Sequence, residues 1–188
     1  MTGRQYSELL LLGAIWGASF LFMRVAAPEF GFLATSFIRV AIGAVCLLPL
    51  LGVARGGRML RTHWLQLGLV GVINSAIPFT LFAYATLSLP AGLTSILNAT
   101  APLWGALIAH LWLGEAVSAQ KRLGLVFGFV GVAVLWVYRA STAGWSADSW
   151  ALLAGVTAGA LYGLAANGTR RYLSGVPPLV IAAGSQVG

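Results

Sequence analysis

Charged side chains are scarce in this sequence. Only 8% of its 188 residues are charged, whereas 59% are hydrophobic. A soluble domain carries roughly 25% charged residues, and a soluble fold of this length could not hide so much apolar surface from water. The composition therefore argues against a soluble domain and predicts that lipid surrounds the chain.

Acidic residues are the scarcest of the charged groups. The chain has only four, Glu8, Glu29, Glu115 and Asp148. Each falls at or near the boundary of an apolar run, so no buried carboxylate is available to relay protons across a membrane, a usual role of acidic residues there. We expect Glu115 to pair with Lys121 or Arg122, or to orient the turn in which it lies.

Cysteine and histidine are almost missing as well. The single cysteine, Cys46, lies in an apolar run, so no intramolecular disulfide can form and the thiol is expected to pack as a small hydrophobic group. Neither His63 nor His110 has a second ligand at metal spacing. No serine, histidine and carboxylate stand together, and we expect no metal, no cofactor and no enzymatic activity.

Long apolar runs are abundant. A helix needs roughly 20 mostly apolar residues to cross a bilayer, and six runs qualify. They lie at about residues 8–27, 32–52, 64–87, 91–113, 119–138 and 149–168. A seventh begins near Pro177 and is cut off at Gly188. The predicted fold class is all-α, a polytopic membrane helix bundle.

Basic residues between the runs indicate the orientation. Loops on the cytoplasmic side of a membrane protein carry an excess of Lys and Arg. One set of alternate gaps holds most of them: Arg4, Arg55, Arg58, Arg61, Lys121, Arg122, Arg170 and Arg171. The opposite gaps hold only Arg24 and Arg139, which predicts a cytoplasmic N-terminus. No basic cluster is interleaved with exposed aromatic residues, so we expect no nucleic-acid partner.

The first and sixth runs resemble each other. Two glycines and an aromatic residue recur at one offset, Gly13, Gly17 and Phe20 against Gly155, Gly159 and Tyr162. Five helices, an odd number, separate the starts of the two runs, so a second copy would be inserted upside down, as in the inverted repeats of secondary transporters. Chance similarity between glycine-rich helices is the alternative.

Several features occur together in a recognisable order. They are Trp16-Gly17 with Phe20, Arg39, Ala85, Ala91-Gly92, Pro102, Gly114-Glu115, and Gln120 with Gly124, Gly128 and Gly131. In this order and spacing the chain resembles, over essentially its whole length, the EamA-like transporters of the drug/metabolite transporter superfamily. The resemblance implies a ten-helix inverted repeat, with the first five-helix repeat at residues 1–140 and the start of the second at 149–188.

The same resemblance implies a function. Such proteins export small polar or amphipathic metabolites, such as amino acids or drugs, across a bacterial-type inner membrane by alternating access. The implied partners are a small-molecule substrate and the lipid bilayer. One alternative is a non-transporting assembly unit or half-length subunit, a possible homodimer that pairs through glycine-rich faces. A membrane enzyme acting on lipid is a further alternative.

Polar residues in the middle of two runs are candidates for substrate binding. Proline cannot donate to the carbonyl four residues before it, so Pro102 is expected to kink the fourth run near Thr94 and Asn98. An exposed carbonyl beside an amide can hold a polar substrate, whereas the alternative role of Asn98 is a hydrogen bond between helices. Pro78 follows Asn74 and Ser75 in the same way in the third run.

Five more residues complete the predicted site. Trp16 and Ser19 are three residues apart and share a helix face, and Tyr84 and Tyr162 could add aromatic walls. Arg39 lies roughly 10 Å inside its run at 1.5 Å per residue. It could bind an anionic group such as a carboxylate, or its side chain could instead reach the headgroups.

Small residues four apart predict close helix packing. Such pairs are Gly13 with Gly17, Gly124 with Gly128, and Gly155 with Gly159 and Gly163. The sequence leaves open whether the partner helix belongs to the same chain or to a second subunit.

Overall fold

A computed structural model of the chain describes residues 3–53, 56–143 and 147–187, with side chains for all of them except 53, 139, 140, 142, 143, 147 and 148. Arg55 and the side chains of Arg139 and Asp148 lie outside this part, so the structure does not describe the loop positions predicted for them above. The described residues are almost entirely helical and contain no strand.

Six helical spans are long and apolar enough to cross a membrane. The unbroken ones are α1 (Gly3–Phe30), α2 (Phe32–Val53), α8 (Ala119–Ala143) and α9 (Ala147–Tyr172). A short helix, α3 (Gly57–Thr62), follows α2, and α10 (Pro178–Val187) begins where the seventh run was predicted. The predicted all-α polytopic membrane bundle is therefore confirmed.

The third and fourth spans are interrupted near their middles. The third consists of α4 (Trp64–Gly71), a π-helical turn (Val72–Ala76) and α5 (Ile77–Ser88). The fourth consists of α6 (Ala91–Asn98), a turn at residues 99–100 and α7 (Ala101–Leu113). Pro78 and Pro102 occupy the first turns of α5 and α7, where a missing N–H costs no helical hydrogen bond.

The glycines of α9 pack against the fourth span. A Cβ on Gly163 would lie 2.6 Å from the backbone nitrogen of Gly105 and 2.8 Å from the carbonyl carbon of Trp104, so the backbones of α9 and α7 touch. The buried Asn167 donates hydrogen bonds to the carbonyls of Gly105 (2.9 Å) and Gly163 (2.8 Å). For α9, the partner of the glycine stripe is thus a helix of the same chain.

The glycines of α1 are different. A Cβ on Gly13 or Gly17 would meet no described atom within 4 Å, and Trp16 between them is 58% exposed. The predicted close packing of this pair is therefore not found in the described part of the chain. A homodimer stays a prediction.

The two ends of the bundle are fixed by different contacts. At one end, called here the Arg24 end, the guanidinium of Arg24 donates to the carbonyls of Thr86 and Leu89, which close α5. At the other, called the Arg170 end, an apolar cluster joins α2, α4 and the segment entering α10. It contains Leu51, Leu67, Leu173 and Val180. Arg24 supplies positive charge where a helix C-terminus carries partial negative charge.

Candidate functional site

A groove of about 430 Å³ lies between α1 and α2. This volume is in the range of small-molecule sites. The lining is mostly apolar, with Ser19, Thr35 and Arg39 as the polar members; the apolar members are Ile15, Phe22, Met23, Ala26, Phe30, Ile38 and Ile42. The groove thus offers a long apolar surface and a single cationic group.

Arg39 is poorly satisfied for a half-buried arginine. Its guanidinium carbon lies 4.0 Å from the centre of the Phe79 ring, and Nη1 donates to the sulfur of Met23 at 3.4 Å. Guanidinium has five N–H donors, and a thioether is a weak acceptor. Among the described residues no carboxylate pairs with Arg39, so its charge faces an aromatic ring and one weak acceptor.

Aromatic rings continue from Arg39 into the bundle. Phe79 meets Tyr162 of α9 edge-on at 6.5 Å between ring centres. Tyr162 in turn lies 5.8 Å from Phe82, and Phe82 packs edge-on against Phe20 at 5.5 Å. Four spans, α1, α2, the third and α9, therefore meet around Arg39.

The π-helical turn carries the predicted polar residues of the third span. Ser75 is buried at 1% exposure and accepts a hydrogen bond from Nε2 of Gln186 in α10 at 3.2 Å. Asn74 is half-buried, and its side chain makes no hydrogen bond within the described chain. π-helical turns are frequent at functional sites.

The other predicted residues lie apart from the groove. Trp16 does not line it. Tyr84 packs edge-on against Phe32 at 5.6 Å. Thr94 is fully buried and donates at 3.3 Å to the carbonyl of Pro90, the residue that precedes α6. Asn98 ends α6, half-buried and without a side-chain hydrogen bond among the described residues. Ser19, Arg39 and Tyr162 are the predicted residues that gather around one centre.

Three residues at this centre were missed from the sequence. Met23 and Phe79 contact Arg39 directly, and Gln186 reaches Ser75. Phe79 follows Ser75 by four residues, a spacing that puts both on one helix face, and this was the available signal. Met23 carries no such signal, since most methionines in apolar runs only pack.

The pairing predicted for Glu115 is wrong. Its carboxylate accepts a hydrogen bond from Arg170 of α9 instead of pairing with Lys121 or Arg122. Glu115 follows Gly114, whose left-handed conformation ends α7. At the Arg170 end of the bundle, Glu115 lies beside the last turn of α9. The sequence separates these residues widely, so only the packing of α7 on α9 reveals the partner.

Acid should weaken this link between α7 and α9. The hydrogen bond from Arg170 holds the pKa of the Glu115 carboxyl below its ordinary value of 4.5. The stabilisation is therefore complete above pH 4.5 and disappears as the pH falls through the lowered pKa. Because both side chains are exposed, we expect a small effect.

A comparison of variants isolates this contribution. In thermal unfolding between pH 7 and pH 3, the difference in midpoint between the natural chain and Glu115→Gln should shrink in acid. Arg170→Gln should behave as Glu115→Gln does. A difference that stays constant with pH would show that Glu115 acts without its charge.

The chain matches the model of the EamA-like transporter family over residues 6–137. It is 27% identical over 155 residues to the "probable terminal-alkyne amino-acid exporter" of Streptantibioticus cattleyicolor, covering 82% of this chain and 52% of that protein. It is 30% identical over 128 residues to the "uncharacterized transporter YvbV" of Bacillus subtilis, covering 68% and 42%.

A third relative is an "uncharacterized transporter" of Archaeoglobus fulgidus, 27% identical over 139 residues, which cover 70% of this chain and 50% of that protein. The chain spans about half the length of these curated relatives. No solved structure matches it. The family match over most of the chain, together with the six membrane-spanning helical segments, shows that this multi-pass membrane protein belongs to the EamA-like transporter family.

Proposed function

We propose that the chain carries the substrate site of an exporter of small amphipathic metabolites, and that an anionic group of the substrate binds Arg39. The apolar groove between α1 and α2 then holds the rest of the molecule. No covalent chemistry is required of the chain.

The single observation that carries this proposal is the weakly satisfied guanidinium of Arg39. An ionised side chain within a membrane span is costly and usually functional. Here it stands beside an apolar groove with one weak acceptor and an aromatic face. A carboxylate would supply two acceptor oxygens in the geometry that guanidinium prefers.

One relative favours the same substrate class. The Streptantibioticus cattleyicolor protein is named a "probable terminal-alkyne amino-acid exporter", and an amino acid offers both a carboxylate and a side chain. The groove lining, with Ile15, Phe22 and Ile38, suits an apolar side chain. Amino acids or related acids with apolar chains are thus the first candidates for this chain.

Alternating access is the proposed mechanism. The interrupted third and fourth spans supply positions where backbone can bend, and broken helices beside a midplane site are common in secondary transporters. We further propose a cytoplasmic N-terminus in a bacterial-type inner membrane, and two inverted repeats with the first at residues 1–140 and the second starting at 149. The charge asymmetry of the loops supports the orientation.

Growth resistance tests the proposal. Cells that produce the chain should resist a subset of toxic amino acids and apolar acid analogues, with lower internal levels of those compounds. Arg39→Gln should abolish the resistance, whereas Arg122→Gln, which removes an exposed arginine, should keep it. Verified membrane production without any difference for any compound would overturn the exporter and favour a non-transporting assembly unit.

A further inference from the structure

Arg39 and Phe79 have neighbours one helical turn away. Gly43 follows Arg39 in α2, and Ser75 precedes Phe79 in the third span, each by four residues. Residues at this spacing lie roughly 5–6 Å apart on one face. Since Arg39 packs on Phe79, Gly43 and Ser75 form the next layer of the same interface, towards the Arg170 end.

Gln186 of α10 lies in this second layer. Its Nε2 donates to Ser75 Oγ at 3.2 Å, and a Cβ on Gly43 would lie 3.2 Å from its Oε1. The absence of a side chain at Gly43 therefore leaves the room that the carboxamide occupies. One turn before Ser75, a Cβ on Gly71 would lie 2.5 Å from the carbonyl oxygen of Ser185, so backbone contact fixes α10 here.

The second layer has hydrogen-bonding capacity to spare. A carboxamide has two N–H donors and an oxygen with two lone pairs, yet within the described chain Gln186 makes one side-chain hydrogen bond, the one to Ser75. The neighbouring Asn74 makes none among these residues. Both side chains are half-buried, and polar groups at membrane depth are costly without partners, so a bound polar group would use this spare capacity.

We propose that Gln186 is a specificity-determining residue, whose carboxamide is oriented by Ser75 and binds a second polar group of the substrate. This inference rests on the proposed function, with the anionic group of the substrate at Arg39. Because the two layers are one turn apart, the second group, a hydroxyl or an amine, is separated from the carboxylate by only a few bonds. The site thereby distinguishes substituted acids from plain fatty acids.

Binding to the purified chain in lipid nanodiscs tests the proposal. The probes are 2-hydroxyhexanoate and 2-aminohexanoate, compared with hexanoate. Gln186→Leu should lower the affinity for the two substituted acids about tenfold, the effect of one lost hydrogen bond. The affinity for hexanoate should stay within about twofold, because hexanoate has no group for the carboxamide to bind.

Two further variants keep the test decisive. Ser75→Ala removes the hydroxyl that orients Gln186 and should weaken binding of the same two probes by a smaller factor. If Gln186→Leu does not fold, Ser75→Ala decides the question. Ser185→Ala is the matched control on α10, since within the described part of the chain its hydroxyl donates only to the carbonyl of Ala182 in its own helix, and it should change nothing.

The outcomes separate the two proposals. Equal losses for all three acids in Gln186→Leu and Ser75→Ala would overturn the specificity role, because that pattern indicates altered packing. Unchanged affinities would overturn it as well. If the natural chain binds none of the acids, the anion site at Arg39 fails and the specificity role fails with it, whereas binding without discrimination refutes Gln186 alone.

Discussion

Arg39→Gln is expected to weaken binding of an anionic ligand in the α1–α2 groove at least about 30-fold. Glutamine removes the charge and the paired donors of guanidinium. Loss of one partner of a buried charged hydrogen-bonded pair typically costs about 2–5 kcal/mol, and about 1.4 kcal/mol corresponds to a tenfold change in affinity. Isothermal titration of the purified chain in nanodiscs with hexanoate or 2-aminohexanoate measures the change.

The matched ligand and variant define what this result means. Hexanamide lacks the negative charge of hexanoate, so its weaker binding should be nearly the same in the natural chain and in Arg39→Gln. Arg39→Lys keeps the charge without the bidentate geometry, so its affinity for hexanoate should lie between those of the natural chain and Arg39→Gln. Equal losses for hexanoate and hexanamide would assign Arg39 to packing on Phe79, and would contradict an anion site.

Gly163→Ala is expected to destabilise the bundle by about 1–3 kcal/mol, the usual cost of overpacking. The new methyl group would meet backbone atoms of Gly105 and Trp104 at 2.6 and 2.8 Å. These atoms belong to α7 and cannot rotate away as a side chain could. The destabilisation by overpacking should exceed the roughly 1 kcal/mol that alanine gains over glycine in a helix.

Thermal unfolding of the detergent-solubilised chain checks this prediction. Gly168→Ala is the control on the same helix, because a Cβ there meets nothing within 4 Å and should leave stability unchanged or raise it. If Gly163→Ala were as stable as Gly168→Ala, the backbone contact between α7 and α9 would not exist.

Much of the bundle could be predicted from the sequence because lipid imposes a simple rule. A span must be apolar over about 20 residues and must satisfy its own backbone, so run length alone located all six spans and the start of α10. The interruptions near Pro78 and Pro102 followed from the missing proline N–H. That one interruption would be a π-helical turn at Val72–Ala76 had no sequence signal.

The site was harder to predict because it depends on which helices touch. Arg39 was identified from its depth in an apolar run, yet its contacts with Phe79 and Met23 join three different spans. Glu115 was assigned to nearby basic residues, whereas its partner Arg170 lies two spans further along the chain. Pairings of this kind are set by helix packing, which no local pattern contains.

The crossing of α9 over α7 limits how the protein can move. Helices that slide past each other do so by small shifts of interleaved side chains, but at Gly105 and Gly163 no side chains lie between the two backbones. Asn167 also binds a carbonyl from each helix at this point. We therefore expect α7 and α9 to move together as one unit, and any opening of the bundle to occur between other pairs of helices.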